Sequence, residues 1–171
     1  SLAVWPGDTK FSREWICKIS QGDNIDLSTI HTTVHLGAHA DAPSHYSPSA
    51  ETIDQVSLDA YCGKCFVFDI QTSSNELICW DHIKDKKNWE SCDRLLFKTA
   101  SFPNPNYFNS NFAAFSPELI QRLTSQGTKL IGIDTPSFDP FDSKFLPAHQ
   151  ELLKGGARNL EGLVLDNVSE G

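Results

Sequence analysis

Apolar and polar residues along the chain form short blocks rather than long periodic stretches, and the blocks differ in kind. Ile30 to Val34, Cys65 to Ile70, Leu95 to Thr99, Lys129 to Ile133 and Leu160 to Leu165 are brief apolar-rich runs of strand length. Ser116-Pro117-Glu118 has the form of an N-cap followed by proline at the first helical position, and Leu119, Ile120 and Leu123 then make one apolar stripe that Gly127 stops. A second helix begins near Pro147, carries His149 and ends at Gly155-Gly156. The stretch from Ser101 to Asn111, rich in Pro, Asn and aromatics, reads as a long loop of the kind that lines active sites. Strands alternating with helices define a mixed α/β class, and the 171 residues are expected to form one domain, 1–171.

One segment fits neither period. His35-Leu-Gly-Ala-His39-Ala-Asp41-Ala-Pro-Ser-His45 places four metal-binding or proton-handling side chains at odd positions. About 100° of rotation per residue would scatter them around a helix, and Gly37 and Pro43 disfavour a helix interior. An extended chain points them all one way, yet a straight strand would hold His35 and His39 about 13 Å apart at roughly 3.3 Å per residue. Convergence on one ion therefore requires a bend, which Gly37 permits.

The second half supplies complementary groups. His149 falls on the second helix, and Glu161 lies on or just before the last apolar strand, where a carboxylate is costly to bury unless paired or metal-bound. His35, His39, Asp41, His149 and Glu161 together give three imidazoles and two carboxylates, enough for two cations sharing bridging carboxylates. Such a nitrogen and oxygen set suits Zn²⁺ first, then Mn²⁺ or Fe²⁺. His45 remains as a proton shuttle.

Composition narrows the partners. A formal net charge of −8 argues against nucleic acid and anionic membrane, and no apolar run approaches the ~20 residues of a membrane span. No signal-peptide pattern opens the chain, and five cysteines without a regular framework favour reduced thiols in the cytoplasm. Cys62-Gly-Lys-Cys65 has no second CxxC and reads as a turn. His31 and His82 read as ordinary core or surface residues, and the acidic pairs Asp139/Asp142 and Asp81/Asp85 as solvated loop and helix-cap carboxylates. No Gly-x-Ser-x-Gly elbow occurs, which sets aside a serine hydrolase.

His35-x-Gly-x-His39-x-Asp41-x-Pro43-x-His45 resembles the signature of the putative-cyclase family of metal hydrolases, and within it the bacterial kynurenine formamidases. Val4-Trp5-Pro6-Gly7-Asp8, Leu58-Asp59-Ala60-Tyr61, Gly132-Ile-Asp-Thr-Pro-Ser137, Asp142-Ser143-Lys144 and Leu160-Glu-Gly-Leu-Val-Leu-Asp166 carry the likeness over nearly the whole chain. Leu36 and Ala38 depart from it, standing where members usually have Thr. The resemblance implies a swivelling β/β/α fold, a homodimer and two Zn²⁺ per subunit, with a C-terminal strand and tail beyond Gly171. His35, His39 and Asp41 would hold one zinc, and Asp41 and Glu161 would bridge to a second completed by His149. His45 would be the general acid/base and Trp5 would flank an aromatic substrate. The implied reaction is zinc-dependent hydrolysis of N-formyl-L-kynurenine to L-kynurenine and formate in tryptophan degradation. The alternatives are a cyclic-amide hydrolase acting on a substrate such as isatin, or a non-catalytic zinc-dependent binding protein. The spare imidazole of His45 argues against the last, because a purely structural site closes its coordination.

Overall fold

The computed structural model describes residues 2–165, 168 and 170. Along the chain come β1 (Ser12–Cys17), β2 (Leu27–His31), β3 (Phe66–Asp69), β4 (Leu77–Ile78), β5 (Arg94–Lys98) and β6 (Ala114–Phe115). They are followed by α1 (Pro117–Ser125), β7 (Leu130–Ile133), α2 (Pro147–Gly155) and β8 (Arg158–Leu160). β3, β5, β7 and β8 form a parallel sheet in the order β3-β5-β7-β8, and β4 pairs in parallel with β6. No helix among the described residues is long and apolar enough to cross a membrane.

The sheet's strands are short and apolar because they are covered. Phe68, Leu95, Phe97, Ile131 and Ile133 are buried in one cluster with Leu119, Ile120 and Leu123 of α1 and Ala148 and Leu152 of α2. The Ser116 hydroxyl accepts from the Leu119 amide and Pro117 occupies the first turn, so α1 starts where its capping residues place it. The two helices approach closely. A Cβ added at Gly155 would meet Thr124 at 2.3 Å, so only glycine fits there.

Two expected strands shift. The apolar run Ile30 to Val34 is strand only as far as His31, and its partner β1 gives no buried-strand signal because most of its side chains face solvent. The strand expected over Leu160 to Leu165 is instead β8, Arg158–Leu160, and the chain turns at Gly162, whose φ is 64°. Glu161 therefore lies just after the strand, not on or before it. The last residue of the Leu160-to-Asp166 motif lies outside the described residues.

Candidate active site

The bend required between His35 and His39 is present. Gly37 has φ 67°, and His35 Nδ1 lies 3.0 Å from His39 Nε2. The turn is fixed from the other half of the chain: His39 N donates to Glu161 O at 3.0 Å and Glu161 N donates to His39 O at 2.9 Å. A Cβ at Gly162 would come 2.5 Å from Gly37 O, so this contact depends on a bare backbone. Two glycines and two backbone hydrogen bonds thus bring ligand groups more than a hundred positions apart in sequence onto one spot.

Five predicted ligands converge there. Asp41 Oδ1 lies 2.9 Å from His35 Nδ1 and 3.4 Å from His39 Nε2. Glu161 Oε2 is 3.8 Å from His39 Nε2, while Glu161 Oε1 is 3.1 Å from His149 Nε2. Asp41 Oδ2 is 3.8 Å from His149 Nε2. Ligands about 2.0–2.1 Å from a tetrahedral zinc sit roughly 3.3 Å from each other, and these separations of 2.9 to 3.8 Å bracket that value. Asp41 and Glu161 reach towards His39 with one oxygen and towards His149 with the other, the arrangement a bridging carboxylate needs.

Hydrogen bonds aim the imidazoles. His39 Nδ1 donates to Gly37 O at 2.9 Å and His149 Nδ1 donates to Asp139 Oδ2 at 2.7 Å, which leaves both Nε2 lone pairs directed at the carboxylates. Asp41 is held by Asn159, whose amide donates to Oδ2 at 2.8 Å, and Glu161 Oε1 accepts from the Phe138 amide at 2.9 Å. Asp41 Oδ1, in contrast, is buried without a well-formed hydrogen bond. A buried carboxylate oxygen facing two imidazole nitrogens but bonded properly to neither is a cation's place in coordination terms. The residues therefore fit divalent metal.

Without a cation the cluster is electrostatically tense. Burial opposes protonation of His149, but hydrogen bonds to Asp139, Asp41 and Glu161 outweigh it and raise its pKa well above the ordinary value. Burial likewise opposes, and Asp41 and Gly37 reverse, the shift of His39, which ends raised. Burial works against ionised Asp41, yet its three imidazole neighbours and Asn159 hold its pKa well below the carboxylate range.

His45 occupies the short 3-10 turn Pro43–His45, its ring 4.3 Å from that of His35. It can join His35 and Asp41 around one ion or face a substrate beside it. Burial pushes its pKa down, against the pull of Asp41, which favours a neutral ring able to take a proton.

The cluster forms one wall of a cavity of about 600 Å³. A second part of its lining is aromatic: Trp5, Phe102 and Phe108 contribute to it, with ring centres 5.3 Å apart for Trp5 and Phe108 and 6.0 Å for Phe102 and Phe108. Trp5 also stacks 5.1 Å from Phe141. The long loop from Ser101 to Asn111 thus faces the site as its composition suggests.

Elsewhere the quieter readings stand, with one correction. Cys62 and Cys65 are exposed, and all five cysteines are free. His31 is exposed, and His82 Nδ1 accepts from Cys79 N in a local cap. Asp142, Asp81 and Asp85 are exposed. Asp139 is not a solvated carboxylate but is fully buried. It caps α2 by accepting from Ala148 N and His149 N, and it orients the His149 ring. Its hold on a ligand, like that of Asn159 on Asp41, arises only from the fold.

Fold and site define an enzyme-type α/β protein, with a cluster of metal-capable ligands and a set of aromatic rings lining one small-molecule cavity. The family model described as Putative cyclase matches residues 1–140, and the chain belongs to this cyclase family. It is 41% identical to the kynurenine formamidase of Delftia acidovorans over 98% of this chain and 79% of the relative. It is 39% identical to the kynurenine formamidase of Erythrobacter litoralis over 99% of this chain and 77% of the relative. Among solved structures, a potential metal-dependent hydrolase with cyclase activity superposes with a TM-score of 0.79 at 25% identity, covering 99% of this chain and 79% of that one.

Proposed function

We propose that the protein is a zinc-dependent kynurenine formamidase, hydrolysing N-formyl-L-kynurenine to L-kynurenine and formate in tryptophan degradation. The observation that carries this reading is the buried Asp41 Oδ1, without a well-formed hydrogen bond among converging imidazoles, in a cavity that Trp5, Phe102 and Phe108 also line. The relatives named kynurenine formamidase support the substrate.

His35, His39 and Asp41 would hold one cation, and Glu161 and His149, with Asp41, would hold a second. When bound, the pair supplies Lewis acidity at the formyl carbonyl and water acidified towards pKa ~7. The chain's own residues do the rest. Trp5 and Phe108, packed edge-on against each other, offer one aromatic face for the substrate's ring, which fixes the formamide at the ligand cluster. His45 takes a proton from the attacking water and delivers it to the aniline nitrogen as the C–N bond breaks, so the leaving group departs as a neutral amine and the formyl carbon as formic acid, which ionises to formate by losing its remaining proton to solvent. Asp139 and the Gly37 carbonyl keep His149 and His39 in the tautomers this requires. The enzyme works in the cytoplasm as a homodimer, with Trp5 close to the subunit interface.

The test is parallel hydrolysis of N-formylkynurenine and isatin by zinc-loaded protein. The reading expects a kcat/KM for N-formylkynurenine far above that for isatin; the reverse order would replace it with a cyclic-amide hydrolase.

A further inference from the structure

The loop that carries Phe102 and Phe108 is stapled at its stem by one carboxylate. Asp134 directly follows β7 and lines the cavity, but it belongs to no ligand cluster. Its Oδ2 accepts from Thr99 N and Ala100 N, both at 2.8 Å, and its Oδ1 accepts from the Thr99 hydroxyl at 2.6 Å. With its proton committed to Asp134, the Thr99 hydroxyl accepts from Ser101 N at 3.1 Å and from the Ser101 hydroxyl at 2.8 Å. The Ser101 oxygen then accepts from Ala113 N at 2.9 Å. The relay runs from a single aspartate to both ends of the loop, residue 101 where it leaves β5 and residue 113 where it enters β6.

Two further observations give the relay a purpose. Ala100, which also lines the cavity, has φ 53°, a left-handed conformation that an alanine keeps only when its surroundings impose it. Asp134 imposes it by holding the Ala100 amide. At the loop's far side, Ala3 N donates to Pro105 O at 2.8 Å, so the N-terminal segment bearing Trp5 rides on the same loop. The loop bearing Phe102 and Phe108 and the segment bearing Trp5 are therefore tied to one anchor, with Phe141 packed against Trp5 and Phe108 as a second support.

We infer that Asp134 is a positioning residue for substrate recognition, acting through Thr99, Ala100 and Ser101 to hold Phe102, Phe108 and Trp5 packed together as the aromatic face that meets a substrate ring. This rests on the aryl-formamide reading of the cavity. Asp134 touches no reacting atom, so its loss loosens binding and leaves the metal-centred chemistry in place.

The experiment pairs Asp134→Asn with the milder Ser101→Ala and measures kcat, KM, metal content and amide hydrogen exchange. Asp134→Asn should raise KM for N-formylkynurenine roughly tenfold and Ser101→Ala roughly threefold, with kcat within about twofold and metal content unchanged. Exchange should quicken across residues 101–113 in both. Combined with Trp5→Ala, the Asp134→Asn effect on KM should be less than multiplicative, because both changes act on one wall. Unchanged KM, or a fall in kcat that tracks metal loss, would overturn the inference. If the unmodified protein left N-formylkynurenine intact, the functional reading would fail by itself. The exchange data would still decide the anchor: unaltered protection of 101–113 in both variants would refute it.

Discussion

The two walls of the cavity are built on opposite principles. The ligand wall is made of groups that burial should forbid: Asp41, His149 and Glu161 are 3%, 3% and 4% exposed, and each is held by a partner further inside the protein. The aromatic wall is made of groups that burial favours, yet Trp5, Phe102 and Phe108 remain partly open and stand on loops. Polar side chains in the first wall are fixed individually by hydrogen bonds, whereas rings in the second are fixed collectively by edge-on packing and a hydrogen-bonded stem. Chemistry is thus separated from recognition, and substitutions on one side should alter kcat or metal while those on the other alter KM.

Four substitutions sharpen that division. On the ligand wall, His45→Ala should lower kcat by roughly 10²–10⁴ with metal retained, the usual range for a positioned proton-transfer group. His149→Ala should instead weaken the second metal, and equal metal loss in both would make His45 a ligand. Behind that wall, Asp139→Ala removes the acceptor that orients His149 and should weaken metal affinity roughly 10- to 100-fold, as read by competition with a chelator. An unchanged affinity would reduce Asp139 to a helix cap. On the aromatic wall, Trp5→Ala should raise KM for N-formylkynurenine roughly tenfold with metal content constant. Unchanged kinetics with a large drop in thermal stability would make Trp5 a packing anchor only.

The same contrast explains what the chain made legible. His35, His39 and Asp41 could be read because they share one short segment whose geometry forces a bend at Gly37, and Glu161 because it is a carboxylate at the edge of an apolar strand, with His149 on the helix twelve residues before it. The buried strands β3, β5 and β7 were readable for a related reason, since strands covered on both faces are simply apolar. β1 was not: Ser12–Cys17 pairs only with β2, and its side chains carry no burial pattern. The C-terminal strand was drawn too long because hydrophobicity continues through Leu163 to Leu165, whereas the backbone turns at Gly162 to approach Gly37. Asp139, Asn159 and Asp134 act on partners that only tertiary structure brings near, so no local spacing marks their roles.

The central claim is that the cluster holds two cations on which turnover depends. Elemental analysis of zinc-loaded, dialysed protein, with activity followed through chelation of the same sample, addresses it most directly. The account predicts about two zinc equivalents per chain and loss of hydrolysis as they are stripped. Protein with at most trace metal that still hydrolyses N-formylkynurenine at full rate would contradict it.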